Sequence, residues 1–406
     1  MHRRTLLTSA GSLATVFGTL SRVGPVRAQI PGVTTTEIKI GQTEAYSGPA
    51  SAYGAIGRGL DAFFKQVNDR GGVAGRKINF ISVDYGYLPP KAVEQTRRLV
   101  EQEGVSFMLN GLGTPSNSAV QRYLNQKKVP QIFVATGADK WANPTEFPWT
   151  IGFQPSYRTE AQIYAKYVLH NKPDGKLAVL YQNDDFGKDY LLGLRDVFGD
   201  KYDRMVVMAV SYEVTDPTID SQAVTLQGSS ADVLVTAATP KFAAQMIRKI
   251  YDIGWKPLHM LTNVSLSVAA VIKPAGPERA VGIITAAYLK EVSDPAWEAD
   301  PGMNEWRAFM KGYMPGADVT DANYPYSYAV GGAILQVLKQ CDGDLSRENI
   351  MRQAANLHDL QLPTLLPGIM VNTSPTNFRP IRQMQLQRWN GTRWERFGTV
   401  LESSGS

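Results

Sequence analysis

The chain has 406 residues, 42 Lys and Arg against 37 Asp and Glu, and is 43% hydrophobic. That length fits two or three domains, and the apolar content is enough for large cores and excludes a disordered chain. Four of the basic residues, Arg3, Arg4, Arg22 and Arg27, fall in the first 28 positions, which hold no acid. The remainder carries 38 bases against 37 acids, so charge makes no case for a nucleic-acid partner.

Those first 28 residues read as a secretory leader. A basic start precedes an apolar run from Leu6 to Leu20, and Val26-Arg27-Ala28 places small residues before a cut near Ala28–Gln29. The run is too short and interrupted to span a bilayer. Arg3-Arg4 before Thr5-Leu6-Leu7 resembles a twin-arginine signal, and an ordinary Sec leader fits equally. With no cysteine near the cut, no lipid anchor is expected there. Cys341, the one cysteine of the chain, rules out an intrachain disulfide. It ends a helix-like run without activating neighbours, so a structural role is expected.

Beyond the leader, short apolar runs alternate with longer amphipathic ones. EIKIGQTE (37–44) predicts a strand. Ile56, Leu60, Phe63, Phe64 and Val67 then fall at helical spacing, and the helix stops at Gly71-Gly72. Strands follow at 77–84, 105–111 and 131–136, with a helix over 91–104 and another after 111. The rhythm restarts after GFQPSY, with a helix over 159–169 and strands at 176–182, 204–212, 232–238 and 258–263. Helices near 188–198, 219–227 and 241–253 lie between them. Two such series predict two α/β lobes with parallel sheets. GIITAAY (282–288) adds a strand, and three helical stretches follow. QMQLQRWNGTRWERF (383–397) predicts a hairpin turning at Asn390-Gly391.

Catalytic and metal patterns are missing from the sequence. His2, His170, His259 and His358 pair with no His or Cys at ligand spacing. There is no G-x-S-x-G elbow and no phosphate-binding G-x-x-x-x-G-K-[ST] loop. Asp184-Asp185 reads as a helix cap rather than a cation site. No metal and no cofactor are expected.

Two loops do point to binding, AYSGPASAYGAIGRG (45–59) and NGLGTPSNSA (110–119). Each follows a strand and opens a helix, the edge where open α/β sheets hold ligands. The second offers the hydroxyls of Thr114, Ser116 and Ser118, glycines that let backbone come close, and a helix N-terminus that favours an anion. No Lys or Arg lies between Ala45 and Gly57 or between Asn110 and Val120. A carboxylate therefore fits better than a phosphate.

IKIGQTEAYSGPASAYGAIGRGLDAFFKQVNDRGGVAGRKI, VPQIFVAT, AVLYQNDDFGKDYLLGL and the W-NGTRW hairpin together resemble the leucine/isoleucine/valine-binding family, the extracytoplasmic solute-binding proteins of branched-chain amino-acid type ABC importers. The resemblance covers nearly all of 37–400. It implies a type I periplasmic binding protein fold, two doubly wound parallel-sheet lobes joined by a three-segment hinge. The crossings are placed near Gly152–Gln154, Thr285–Ala287 and Pro367–Pro380. Residues 29–152 with 286–367 would form the N-terminal lobe, and 153–285 with 368–406 the C-terminal lobe. It also implies a periplasmic monomer that is no enzyme, holds a small-molecule carboxylate and docks on ABC permease subunits in the inner membrane.

Residue by residue, the resemblance puts the ligand carboxylate against Thr114, Ala135, Thr136 and Gly137, and gives Tyr53 the role of a ligand-contacting tyrosine. Where the family's amino-acid binders place acids and tyrosines around an ammonium, this chain has Tyr157, Phe186, Thr239 and Asn263. The family's first-lobe disulfide is absent, as the single cysteine requires. Without those acids an ammonium lacks its partner. The expected ligand is an organic acid with an aromatic or aliphatic body rather than an α-amino acid. The same clamp also serves sensors that present a small molecule to a membrane receptor, and the sequence does not separate the two. An exported enzyme of this fold would need a nucleophile, base or cofactor constellation, and none is found.

Overall fold

The computed structural model describes residues 30–402, so the leader and its cleavage site lie outside the described residues. Two sheets organise the chain. The first is wholly parallel and is built from β1 (Glu37–Glu44), β2 (Lys77–Asp84), β3 (Phe107–Leu109), β4 (Gln131–Val134) and β5 (Thr150–Gly152), in the order β2-β1-β3-β4-β5. The second holds β6 (Leu177–Gln182), β7 (Val206–Tyr212), β8 (Val233–Ala237), β9 (Leu258–Leu261), β10 (Ile284–Ala287), β11 (Gln383–Trp389) and β12 (Trp394–Glu402), in the order β12-β11-β10-β9-β8-β6-β7. Its first five strands repeat the order of the first sheet, and β11 and β12 add antiparallel to β10. The fold is the mixed α/β, two-lobed arrangement that the alternating pattern implies.

Local chemistry explains most element ends. β1 and β2 match the sequence reading residue for residue. β3 is shorter than its apolar run because Asn110 takes a positive φ of 51° and its side chain turns to bond the Phe133 carbonyl. The C-terminal hairpin closes because the Asn390 side chain accepts three hydrogen bonds, from Thr392 N–H, Thr392 Oγ and Arg393 N–H, while Gly391 adopts φ 105°. Trp389 and Trp394 face each other across it and donate to the Pro277 and Leu266 carbonyls.

The helices that matter to the site are α1 (Gly54–Asp69), α2 (Pro89–Glu101), α3 (Thr114–Gln126), α4 (Tyr157–Asn171) and α5 (Asp185–Phe198). After β10 the chain returns to the first sheet's side, where helices Pro301–Tyr313 and Asn323–Gln340 pack on α1. It then comes back to β11. Segments 289 and 365 bridge one another, as do 360 and 371. Cys341 is buried and free, with its thiol pushed up to about 12 by burial. His259 is buried against Thr236 and held neutral, its value lowered to about 3 by burial. Among the described residues, no helix is long and apolar enough to cross a membrane.

Candidate functional site

In each sheet the strand order reverses once, between β1 and β3 in the first and between β6 and β8 in the second. The carboxyl ends of those strands open onto a crevice. The loops that leave them line one cavity between the sheets. Tyr53, Leu112 and Thr114 come from the first pair, and Phe186 and Thr239 from the second. The space open to the centres of water-sized spheres is about 80 Å³, which holds roughly five to eight waters and therefore a small molecule.

The loop after β3 is fixed from several sides. Asn117 Nδ2 donates to the carbonyls of Gly111 (2.7 Å) and Gly113 (2.8 Å), and Gln131 Nε2 holds Asn117 Oδ1 at 2.8 Å. Tyr85 Oη donates to the Leu112 carbonyl at 2.7 Å. Gly113 precedes α3 with φ 86°, and no side chain caps this helix, whereas Ser156 caps α4 and Asp184 caps α5. The first N–H groups of α3 have no intrahelical acceptor and carry the positive end of its dipole to the cavity. A Cβ at Gly113 would sit 2.6 Å from the Tyr87 ring and strain the positive φ. Gly113→Ala is thus expected to cost about 1–3 kcal/mol in chemical unfolding and to shift the start of α3. An unchanged unfolding midpoint would show that the loop is not held as described.

Seven of the nine residues singled out from sequence line the cavity: Tyr53, Thr114, Ala135, Tyr157, Phe186, Thr239 and Asn263. Thr136 and Gly137 stand behind it, on a second, smaller pocket with Trp141 and Arg379. The reason is that β4 ends at Val134, and the Thr136 hydroxyl is turned to Thr114 Oγ1 (2.5 Å), the Trp141 indole and the Ala138 N–H. Thr136 and Gly137 therefore meet the site through their neighbours on its wall, Thr136 through Thr114 and Tyr157 and Gly137 through Tyr157.

Aromatic rings dominate the wall. Tyr87, Tyr288 and Tyr326 join Tyr53 and Tyr157, and Phe186 packs on Tyr157 with ring centroids 4.5 Å apart. Burial raises all five phenols well beyond their ordinary range, so each is a neutral hydroxyl. Tyr326 accepts from Asn110 Nδ2 at 2.9 Å, which leaves its own proton to donate. Sequence reasoning missed Tyr87, Tyr288 and Tyr326. The first two follow strand ends and so carried a readable signal.

It also missed two acids. Glu160, on α4, lies fully buried behind Asn263. Its Oε1 accepts from the Asn263 N–H (2.7 Å) and Tyr164 Oη, and its Oε2 from Tyr190 Oη (2.7 Å) and Asn263 Nδ2. Burial pushes its carboxyl up to about 7. Glu291, beyond β10, is on the cavity wall itself. The wall's lysine, Lys290, is engaged by Asp300 Oδ1 and the Pro363 carbonyl, both at 2.8 Å. Among the described residues, no group of His, Cys, Asp and Glu could hold a metal ion.

Several polar contacts join the two sides of the cavity. Tyr53 Oη donates to the Val264 carbonyl at 3.0 Å, and Ser267 Oγ to Asp321 Oδ1 at 3.0 Å. Lys273 Nζ meets Asp318 Oδ2 at 2.8 Å and Thr320 Oγ1 at 3.0 Å. The cavity is therefore enclosed by both lobes.

A periplasmic binding protein family profile matches residues 37–393. A Leu/Ile/Val-binding protein homolog 3 from Brucella melitensis is 24% identical over 233 residues, 55% of this chain and 60% of that protein. Among solved structures, a branched-chain amino acid ABC transporter protein from Thermus thermophilus with bound valine superposes with a TM-score of 0.82. It is 14% identical, over 92% of this chain and 98% of that one. An ABC transporter solute-binding protein from R. palustris in complex with 4-hydroxybenzoate gives 0.75 at 19% identity, over 91% and 98%. This family binds solutes and is extracytoplasmic. The chain belongs to the periplasmic binding protein family, as a ligand-binding protein of the Leu/Ile/Val-binding type.

Proposed function

We propose that this protein is the periplasmic substrate-binding component of an ABC importer, that it captures a small carboxylate with an apolar or aromatic body between its lobes, and that it delivers this ligand to permease subunits in the inner membrane. The observation that carries the ligand class is the pairing of an uncapped helix N-terminus with a wall of five tyrosines and Phe186 around one small cavity. Fixed N–H groups and hydroxyls suit a carboxylate, and the rings suit its body. The neighbours that hold valine and 4-hydroxybenzoate are compatible with such a ligand. The lobes divide as 29–152 with 286–367 and 153–285 with 368–406, the leader being removed on export. Thr114 and the start of α3 hold the carboxylate, with Ala135, Thr136 and Gly137 shaping that end. Tyr53, Tyr157, Phe186, Thr239 and Asn263 surround the body.

A thermal-shift screen of ligand-stripped protein tests this reading. Leucine, benzoates, cinnamates, short fatty acids and dicarboxylates would be compared side by side, since a ligand that binds the folded state raises its stability with the log of saturation. Acids without an amine are expected to shift the midpoint. A shift with leucine alone would put the ligand among the α-amino acids. With the ligand in hand, Thr114→Val is expected to weaken binding by about 1–3 kcal/mol in calorimetry. Unchanged affinity would remove Thr114 from the site.

A further inference from the structure

Glu291 is the acid on the cavity wall, and only 8% of its surface is exposed. Both of its hydrogen bonds come from Ser293, the N–H at 3.1 Å and Oγ at 2.8 Å, and both end on Oε1. Among the described residues, no hydrogen bond to Oε2 and no ion pair of Glu291 is found, and Oε2 is not one of the fully sealed atoms. Its neighbour Lys290 is held by Asp300 and Pro363 over the face of Trp297. Arg396, over the same ring, is paired with Asp294 at 3.6 Å. Burial raises the Glu291 carboxyl above its ordinary value, and the like charge of Asp294 adds to this. A buried carboxylate with a free oxygen and no partner carries a desolvation cost unless something in the cavity donates to it.

We propose that Glu291 Oε2 accepts an N–H or O–H of the bound acid at a point away from its carboxylate. The ligand is then bifunctional, an apolar-bodied carboxylate that also bears a hydroxyl or amino group. This rests on the carboxylate reading above, and it places a specificity-determining residue on the segment after β10, apart from α3 and Phe186. A site built to hydrogen-bond a ligand donor rejects the analogue that lacks it, because its polar atom is left unpaired.

Calorimetric titration of two matched series decides the matter. One is benzoate, 4-hydroxybenzoate and 4-aminobenzoate; the other is 4-methylpentanoate, its 2-hydroxy derivative and leucine. In at least one series a donor-bearing member is expected to bind the unmodified protein about tenfold or more tighter than its parent. Glu291→Gln keeps an acceptor for Ser293, and Glu291→Met removes both. Each variant should bring that preference within about threefold, the donor-bearing acid losing affinity and the parent acid losing none. The ligand-free melting temperature, read first, separates a folding defect from a change at the site. The proposal is overturned if no donor-bearing acid is preferred, if the preference survives both variants, or if parent and derivative weaken together. If no acid of either series binds the unmodified protein, the carboxylate reading fails and this proposal with it.

Discussion

Glu160→Ala is expected to lower the unfolding free energy by about 2–4 kcal/mol, because both Asn263 donors lose their acceptor at once while Tyr164 and Tyr190 fall back on the Leu261 carbonyl and Thr262 Oγ1. Tyr164, Tyr190 and Asn263 all converge on this one carboxylate, Asn263 with both its backbone N–H and its side chain. Those partners belong to α4, α5 and the turn after β9, so the loss falls on the packing of all three. Tyr164 also stands between the Leu261 carbonyl and the Ala286 N–H, which ties the cluster to the end of β10. Denaturant unfolding reads the effect, and a loss below about 1 kcal/mol would show that these donors find other acceptors. Ligand affinity should fall too, since Asn263 is on the cavity wall and Glu160 sets its position. Glu160→Gln keeps the volume but presents an amide to donors, so it should recover little of the loss.

The second large effect is an unusual pH dependence. Burial raises Glu44 to about 8, and Glu160 and Asp189 each to about 7, against ordinary values of 4.5, 4.5 and 3.8. In the folded chain these groups hold protons that the unfolded chain releases between those limits. The folded state therefore binds more protons over roughly pH 4–8, and stability rises as pH falls through that window. Glu44 alone sets a gain on the order of 3 kcal/mol from pH 8 to 5, and the three shifts together set an upper bound of about 9 kcal/mol. Below pH 4 the sign reverses. The hydrogen bond from Lys273 helps hold Asp318 down at about 2, so its contribution is present above 3.8 and lost as pH falls toward 2. Melting temperature should therefore peak near pH 4–5, and Glu44→Gln should flatten the limb above it. A peak at pH 8 or higher would contradict the burial of these carboxyls.

Much of the scaffold was legible because its causes are local. Apolar residues in short runs set β1, β2 and β8, and the Asn390 turn set the last hairpin. The two binding loops were legible because a strand followed by Gly, hydroxyls and a helix start is a one-dimensional pattern. What escaped depends on distant chain. Glu160 sits in TEAQIY, which in sequence resembles any solvated helix face. Its burial follows from α4 packing on α5 and from Asn263, 103 residues away. Glu291 lies in the polar stretch LKEVSD, and only the return of the chain beside Leu365 encloses it. Thr136 was read at the end of the run QIFVAT; the strand stops at Val134, and the turn that follows sets its hydroxyl against Thr114 and Tyr157 of the cavity wall. Two carboxyl groups, Glu160 behind Asn263 and Glu291 on the wall, thus come to the cavity through three-dimensional packing alone.

The contacts between the two sides of the cavity have a consequence for how affinity is set. Lys273 and Asp318 are each about half exposed, so their attraction is screened and small. For any ligand of an enclosed cavity, observed affinity is the intrinsic one scaled by the fraction of molecules already enclosed. Residues that line no part of the cavity then act as a gain control on it. Salt that loosens the Lys273–Asp318 pair is expected to lower occupancy without altering one contact in the cavity.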